Sequence, residues 1–260
     1  MNYNTLIVTE RQGIAQLTLN RPDKRNALSH ELIQEMLSAL EEIKNGSSRI
    51  LLLSGSGNAF CSGMDLDELR TFATRTPEEN LADSRLIARL LRAVYDFPRP
   101  TIAAVLGPAV AGGCGIATLC DFTIASTDAK FGYPETRIGL VPALVSVWLR
   151  RQIGDKAARK LLLSGALVSA QEALAMGLVT EVAEPGRLLE RAGEIASGLL
   201  KCSPAALQAL KRVLHDFSER DIDWQLEIAI AANAAMRATA DFREGLSSFL
   251  EKRRPKWSGD

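Results

Sequence analysis

Histidine is nearly absent from this sequence, and its few cysteines form no metal or redox motif. The 260 residues contain two histidines, His30 and His215, and no H-E-x-x-H segment. The sequence therefore argues against a zinc site or a histidine-driven hydrolase, and any proton chemistry falls to carboxylates. The four cysteines include no C-x-x-C pair. We therefore predict reduced thiols, no bound metal and a cytoplasmic protein.

The chain also lacks net charge. Its 31 basic residues balance 31 acidic ones, so there is no basic surplus with which to neutralise phosphates. This argues against nucleic acid as a partner. The first residues, MNYNTLIVTE, lack the basic-then-apolar pattern of a secretory signal, which is again expected of a cytoplasmic protein.

One long stretch in the middle of the chain, from Pro100 to Asp121, contains no charge until its last residue. Prolines and glycines interrupt this stretch, so it does not resemble a membrane span, and we expect no membrane partner. The pattern predicts a strand over residues 101–106, a tight loop over 107–111 and a buried helix that begins near Gly112.

A glycine-rich loop that enters a helix offers free N–H groups to a negative charge. The dinucleotide fingerprint G-x-G-x-x-G does not fit, because Thr118 stands where its last glycine belongs. The loop carries no lysine and no hydroxyl group for a metal-bound phosphate. It is therefore better suited to one oxygen atom than to a polyphosphate.

A second glycine-containing loop, SGSGNAFCSGMDLDELR, follows a short buried strand over residues 50–53. Gly63 and Met64 lie in its strand-to-helix turn. If the N–H groups of this turn and of Gly112 converge, they form an oxyanion hole. From spacing alone, two unrelated loops remain the alternative.

Before these loops, the pattern predicts a hairpin over residues 6–19 and a helix from the cap Ser29 to about Asn45. Thr76 starts a further helix that ends before Pro98. The segment AKFGYPETRIGLVPAL is interpreted as a loop. After it come helices over 144–152, 156–163 and 169–176, a strand over 178–182 and a helix over 188–200. Three amphipathic helices without strands make up residues 201–260, and such a tail often packs on a partner subunit.

The order of the motifs resembles the crotonase family, the enoyl-CoA hydratase/isomerase superfamily, over nearly the whole chain. The segments that carry the resemblance are NRPDKRNAL, AFCSGMDL, PTIAAVLGPAVAGGCGIATLCDF, FGYPETRIGLVP and the final EKR. The resemblance implies an α/β spiral of strand-strand-helix repeats over residues 1–200 and a helical trimerisation domain over 201–260. It also implies a homotrimer or dimer of trimers that acts on an acyl-CoA thioester. The coenzyme A arrives with the substrate, and no separate cofactor is expected.

Carried over by motif, the resemblance assigns the two oxyanion N–H groups to Met64 and Gly112. It also assigns coenzyme A contacts within the chain and, in a neighbouring subunit's site, contacts from Phe249 and Lys252. The contacts within the chain are Arg25, Ala27, Leu28, Ser62, Asp65 and Leu66. A solvated basic terminus is the alternative for Lys252.

The family's hydratases use two glutamates, and this chain retains one. Glu135 stands at the second position, whereas Gly115 occupies the first. The apolar neighbours of Glu135 are expected to raise its pKa, and Arg137 is expected to point away from it. A structural role in the loop is the alternative. Cys61 and Cys114 flank the site without a base beside them and are interpreted as packing residues.

Two reactions remain open. A single glutamate can hydrate an enoyl-CoA, or it can shuttle a proton in a Δ3,Δ2-enoyl-CoA isomerase of fatty acid metabolism. A finer resemblance, to bacterial hydratases of branched or carboxylated enoyl-CoAs such as 3-methylglutaconyl-CoA, favours hydration. Leu144, Val145 and Trp148 are either acyl-pocket residues or helix core. A non-catalytic scaffold that binds coenzyme A or RNA is the remaining alternative.

Overall fold

The computed structural model describes residues 3–217 and 219–259, which form nine strands and ten α-helices. The strands are β1 (Leu6–Arg11), β2 (Ile14–Leu19), β3 (Ile50–Gly55), β4 (Thr101–Val105), β5 (Pro108–Val110), β6 (Phe122–Ser126), β7 (Lys130–Gly132), β8 (Leu167–Ser169) and β9 (Glu181–Ala183). The helices are α1 (His30–Asn45), α2 (Leu66–Phe72), α3 (Pro77–Tyr95), α4 (Gly112–Thr118), α5 (Ala143–Ser164), α6 (Ala170–Ala175), α7 (Leu188–Leu200), α8 (Pro204–Asp216), α9 (Glu219–Met236) and α10 (Ala240–Leu250).

Six strands form the main sheet in the order β1-β2-β3-β4-β6-β9. Only the predicted hairpin β1–β2 is antiparallel, and the other neighbours are parallel. The central strand β4 is buried along its whole length, as expected of a parallel strand covered on both faces. A second sheet has the order β5-β7-β8.

Helix boundaries follow the capping residues of the sequence. The Ser29 hydroxyl accepts a hydrogen bond from the N–H of Leu32 at 3.2 Å, and Gly46 ends α1. Thr76 and Glu79 form a reciprocal capping box at the start of α3. Such caps satisfy N–H groups that have no partner within the helix, which is why local sequence predicts them well.

Four short strands depart from the sequence prediction, and one of them is β8, which lies where no strand was expected. The predicted loop 107–111 contains β5, and the predicted loop segment that begins at Ala129 contains β7. A strand predicted over 178–182 begins later, at Glu181, because the N–H of Leu178 still bonds to the carbonyl of Ala173 at the end of α6. The two helices predicted over 144–152 and 156–163 are both present within α5, where a kink at Gly154 with a non-helical φ of 75° separates them.

The C-terminal helices pack on the rest of the same chain. Ile222 and Ile230 of α9 belong to the same buried core as α3 and α5. Lys211 of α8 is 8% exposed, and its Nζ donates to Asp121 Oδ2 at 2.7 Å. The domain boundary near residue 200 stays a prediction. Within the described residues, no helix is both long and apolar enough to span a bilayer.

Candidate active site

Two chain segments leave the same edge of the main sheet, because β3 and β4 are adjacent and parallel. The first runs from the end of β3 through Gly63 and Met64 to α2. The second runs from the end of β4 through β5 to Gly112, the first residue of α4. Parallel pairing therefore brings the two glycine turns to one place, a convergence that their spacing in the sequence leaves open.

The turn at Met64 is fixed by a bridge to Leu28. The N–H of Leu28 donates to the carbonyl of Gly63 at 2.7 Å, and the N–H of Asp65 donates to the carbonyl of Leu28 at 2.9 Å. The N–H of Met64 belongs to the same trans peptide as the Gly63 carbonyl and points in the opposite direction, so it faces away from Leu28. Gly63 has a φ of +90°, a conformation that L side chains rarely adopt.

The turn at Gly112 is held in an unusual conformation by its predecessor. Ala111 has φ 54° and ψ −127°, which is strained for a residue with a side chain. Its N–H donates to the carbonyl of Gly132 at 2.9 Å, and a Cβ added to Gly63 would lie 3.0 Å from the Cβ of Ala111. The two turns are thus in contact, and strained backbone of this kind concentrates at functional sites.

Met64, Gly112 and Glu135 line one cavity of about 470 Å³. This arrangement brings together the three residues predicted to be catalytic. Gly112 begins a helix, so its N–H has no acceptor within that helix. Their assignment as oxyanion donors and acid/base stays a prediction, with a geometry that permits it.

Glu135 lies in a short 3-10 turn over Pro134–Ile138. The residue is half-buried, but its Oε2 atom is shielded from solvent and has no hydrogen-bond partner within the described part of the chain. Burial raises the pKa of Glu135 to about 7, and a hydrogen bond from its own backbone opposes this only in part. Arg137 is exposed and is not among the groups that shift the pKa of Glu135. A carboxyl group with this pKa can take up and release a proton near neutral pH.

Helix α10 supports the Glu135 turn by direct backbone contact. A Cβ at Gly245 would lie 2.4 Å from the carbonyl carbon of Ile138, and one at Gly139 would lie 2.5 Å from the carbonyl oxygen of Asp241. Glycine at both positions is what allows α10 to approach this closely. The packing of α10 thereby fixes the position of the Glu135 turn relative to the cavity.

The position of the missing first glutamate is filled by apolar side chains. A Cβ at Gly115 would lie 2.7 Å from Val145 Cγ1 and 3.2 Å from Leu91 Cδ2. Both Val145 and Leu91 line the cavity. A carboxylate side chain at position 115 would therefore have to displace Val145.

The residues predicted to bind coenzyme A fall into two groups. Leu28, Ser62, Leu66 and Phe249 line the cavity. The other four do not line it: Arg25, Ala27, Asp65 and Lys252. No coenzyme A contact is tested by this geometry, and all eight assignments stay predictions.

Two of the four residues that do not line the cavity, Asp65 and Ala27, connect the segments around Leu28 and Met64 through Arg21. Asp65 is 3% exposed, and its Oδ2 pairs with Arg21 Nη2 at 2.8 Å. The Ala27 carbonyl accepts from Arg21 Nη1 at 2.5 Å. Arg25 and Lys252 are exposed, and both have positive φ.

Phe249 lines the cavity of its own chain, and its predicted contact with a neighbouring subunit's site stays a prediction. The packing of α10 on the Glu135 turn described above carries Phe249 to the cavity wall. The neighbouring cation Arg253 pairs with Glu244 of α10 at 2.5 Å.

The predicted acyl-pocket residues separate in the structure. Leu144 and Val145 line the cavity. Trp148 is 2% exposed and packs against Tyr95 as part of the core, with ring centroids 5.6 Å apart and ring planes tilted by 49°. Cys61 and Cys114 are fully buried, and burial raises the pKa of each thiol to about 12. Such thiols are inert packing groups.

Sequence reasoning missed three polar residues. Asn26 is buried, and its Nδ2 donates to the carbonyls of Ser56 at 2.9 Å and Ala59 at 2.8 Å, which locks the turn beside Leu28. Its position in NRPDKRNAL was the available signal. Asn233 and Arg237 also line the cavity. They belong to the tail that the pattern assigned to subunit contacts, so no local signal marked them.

Comparison with known proteins identifies the family. The enoyl-CoA hydratase/isomerase model matches residues 9–260. A Thermus thermophilus protein provisionally named enoyl-CoA hydratase is 42% identical over 97% of this chain and 100% of its own. The 2,3-dehydroadipyl-CoA hydratase of Escherichia coli is 36% identical over 98% of each chain.

Solved structures agree with this result. A crystal structure of an enoyl-CoA hydratase/isomerase from Xanthobacter autotrophicus Py2 matches with a TM-score of 0.89 and 30% identity, over 97% of this chain and 98% of that one. The predicted crotonase fold and the predicted type of enzyme are therefore confirmed, whereas the finer branch stays a prediction. The chain belongs to the enoyl-CoA hydratase/isomerase family.

Proposed function

We propose that this protein adds water across the 2,3 double bond of an enoyl-CoA thioester. The observation that carries the proposal is the single cavity in which the turns of Met64 and Gly112 meet a shielded carboxyl group, Glu135, with a pKa of about 7. This combination provides an acceptor for negative charge beside a group that can move a proton.

In the proposed reaction the thioester oxygen lies between the N–H groups of Met64 and Gly112. Attack of water on C3 moves electrons through C2 to this oxygen and forms an enolate. Donors that are fixed in advance stabilise this charge without rearrangement, and each is worth about 3 kcal/mol of barrier in comparable oxyanion holes.

Glu135 acts twice. As a carboxylate it accepts a proton from the attacking water, whose oxygen bonds to C3. As a carboxylic acid it then returns that proton to C2, the enolate collapses to the thioester, and the 3-hydroxyacyl-CoA product carries both parts of one water molecule. Because the proton taken equals the proton returned, a single carboxyl group closes the cycle.

The apolar wall at Gly115 also favours a second candidate, Δ3,Δ2-enoyl-CoA isomerisation. Gly115 packs against Val145 and Leu91, so this position provides no second carboxylate to orient water. In the isomerase reaction Glu135 needs no water, since it removes a proton from C2 and returns it at C4.

The names of the relatives favour hydration over isomerisation. Both the Thermus thermophilus and the Escherichia coli proteins are named hydratases. The first name specifies no acyl chain and the second specifies 2,3-dehydroadipyl-CoA. We accordingly place hydration first.

The proposal includes a coenzyme A site and a subunit arrangement. The coenzyme A contacts are those assigned by resemblance, with Arg25 and Lys252 free in solvent to meet phosphates. A homotrimer or dimer of trimers is supported by apolar side chains exposed on the C-terminal helices, where Phe217 is 80% exposed and Trp224 is 67% exposed. A cytoplasmic location and a role in fatty acid metabolism complete the proposal.

The test uses paired 2-enoyl-CoA and 3-enoyl-CoA substrates in heavy-oxygen water, with products identified by mass spectrometry. We expect heavy oxygen in a 3-hydroxyacyl product from the wild type and its loss in Glu135→Gln. The exposed Glu78→Gln serves as the matched control and should keep the label. Double-bond migration without label would replace hydration by isomerisation, and no turnover of either substrate would refute both candidates.

A further inference from the structure

The cavity is lined mainly by apolar side chains, and its polar members are few. They are Ser62, Glu135, Arg137, Asn233 and Arg237. Two of these five are guanidinium groups. An acyl chain that ends in a methyl group makes no use of them, so their presence on the wall calls for a ligand of different chemistry.

Arg237, which follows α9, is fixed from three sides. Its Nη1 donates to Asp83 Oδ2 at 2.7 Å, and its Nη2 donates to Asn233 Oδ1 at 3.1 Å. Its guanidinium carbon lies 3.8 Å from the centre of the Phe72 ring. The residue is 1% exposed, and its Nε, itself shielded from solvent, has no hydrogen-bond partner among the described residues. A donor therefore remains unused in a side chain that cannot move away.

The charges around Arg237 are balanced without help from the cavity. Asp83 also pairs with Arg75 at 3.2 Å, and Arg75 pairs with Glu68 at 3.1 Å. Two carboxylates thus neutralise two guanidinium groups. A buried pair of this kind seldom adds stability beyond that of apolar residues of the same volume, so stability alone does not explain it.

Arg137 adds a charge that is not balanced. It lines the same cavity and is exposed, and it forms no ion pair with the described residues. Among the described residues, Glu135 is the one carboxyl group that lines the cavity, and burial raises its pKa to about 7. A negatively charged group of a bound ligand would therefore balance the positive charge of Arg137.

We propose that the acyl site selects enoyl chains whose far end carries a carboxylate, with Arg237 and Arg137 as its recognition residues. This rests on the proposed function, since it names the substrate class of the same site. The Nε–H of Arg237 supplies a fixed donor, and Arg137 supplies the uncompensated charge. Charge-assisted hydrogen bonds of guanidinium to carboxylate are both strong and directional.

The first test needs only the wild type and no turnover. Titration calorimetry compares adipyl-CoA with hexanoyl-CoA, two saturated thioesters of six carbons that differ in the terminal carboxylate. We expect the diacid thioester to bind at least about tenfold more tightly. Equal affinity, or tighter binding of hexanoyl-CoA, would overturn the proposal even if hydration were established.

The second test measures selectivity in variants. The readout is the ratio of kcat/KM for the six-carbon trans-2-enedioyl-CoA to that for trans-2-hexenoyl-CoA. Arg237→Met and Arg137→Met should each lower this ratio, by about tenfold or more for Arg237. Arg75→Met is the matched control, because Arg75 also contacts Asp83 and Phe72 but does not line the cavity. It should leave the ratio unchanged.

The two proposals fail in different ways. If the wild type hydrates trans-2-hexenoyl-CoA but binds both saturated thioesters equally, carboxylate selection is wrong and hydration stands. If it binds adipyl-CoA selectively but hydrates neither enoyl thioester, carboxylate selection stands and hydration is wrong. If Arg237→Met does not fold, Arg137→Met and the calorimetry still decide the question. An equal loss of ratio in Arg75→Met would mean that packing around Asp83, and not recognition, sets the selectivity.

Discussion

Cγ1 of Val145 occupies the space that a side chain at Gly115 would need, at 2.7 Å from the position of its Cβ. The resemblance places a first glutamate at position 115, and in this chain a side chain of a different helix fills the volume that such a residue would need. Restoring the carboxylate alone does not restore a two-carboxylate site.

Gly115→Glu is expected to destabilise the protein by about 1–3 kcal/mol, because the new side chain overpacks a closed wall. The combined variant Gly115→Glu with Val145→Ala removes the obstructing methyl group and should regain part of this loss. Thermal unfolding of both variants gives the answer. If Gly115→Glu alone were as stable as the wild type, the side chains around position 115 would rearrange at little cost, and the overpacking argument would be wrong.

Glu135→Gln is expected to stabilise the protein at alkaline pH. The pKa of Glu135 rises from 4.5 unfolded to about 7 folded, so folding favours its protonated form. Its stabilising effect is present below the unfolded pKa and is lost as pH rises through 7. The variant does not lose this stability. The difference in free energy of unfolding between the variant and the wild type should therefore grow by about 2 kcal/mol between about pH 5 and about pH 8. Urea unfolding at both pH values measures it, with Glu78→Gln as a control that shows no such growth.

The pH dependence of hydration follows from the same group. Glu135 must be a carboxylate to accept a proton from water, so kcat/KM should fall as pH drops through about 7 and level off above it. The measurement is a pH profile with a short 2-enoyl-CoA. A profile that is flat across neutrality would remove Glu135 from the role of general base.

Gly245→Ala is expected to separate α10 from the Glu135 turn, because its Cβ would lie 2.4 Å from the backbone of Ile138. Stability should fall by about 2 kcal/mol. The midpoint of the pH profile should also move below 7 as water reaches Glu135. Gly193→Ala in α7 is the control, since its Cβ would meet no atom of the described residues within 4 Å. It should gain about 0.5–1 kcal/mol.

Local signals predicted most of the secondary structure. Ser29, Gly46 and Thr76 act through their own neighbours in sequence, and the helices that they bound match the structure. The strands β5, β7 and β8 have three residues each. That is too short for an alternating pattern, and partners distant in sequence define them.

The candidate site was predictable only in part, for a related reason. Glu135, Met64 and Gly112 could be named from motifs, but their meeting depends on the parallel register of β3 and β4. Arg237 carried no signal, because the periodicity of a helical tail does not reveal which surface it covers.

The cavity wall is assembled from residues that span Leu28 to Phe249. During synthesis the sheet and the glycine turns leave the ribosome long before α10 does. A nascent chain that has not yet reached Phe249 would thus lack the complete helix α10, which holds the Glu135 turn in position. Catalytic competence is therefore expected to arise late in translation, which keeps incomplete chains from processing thioesters.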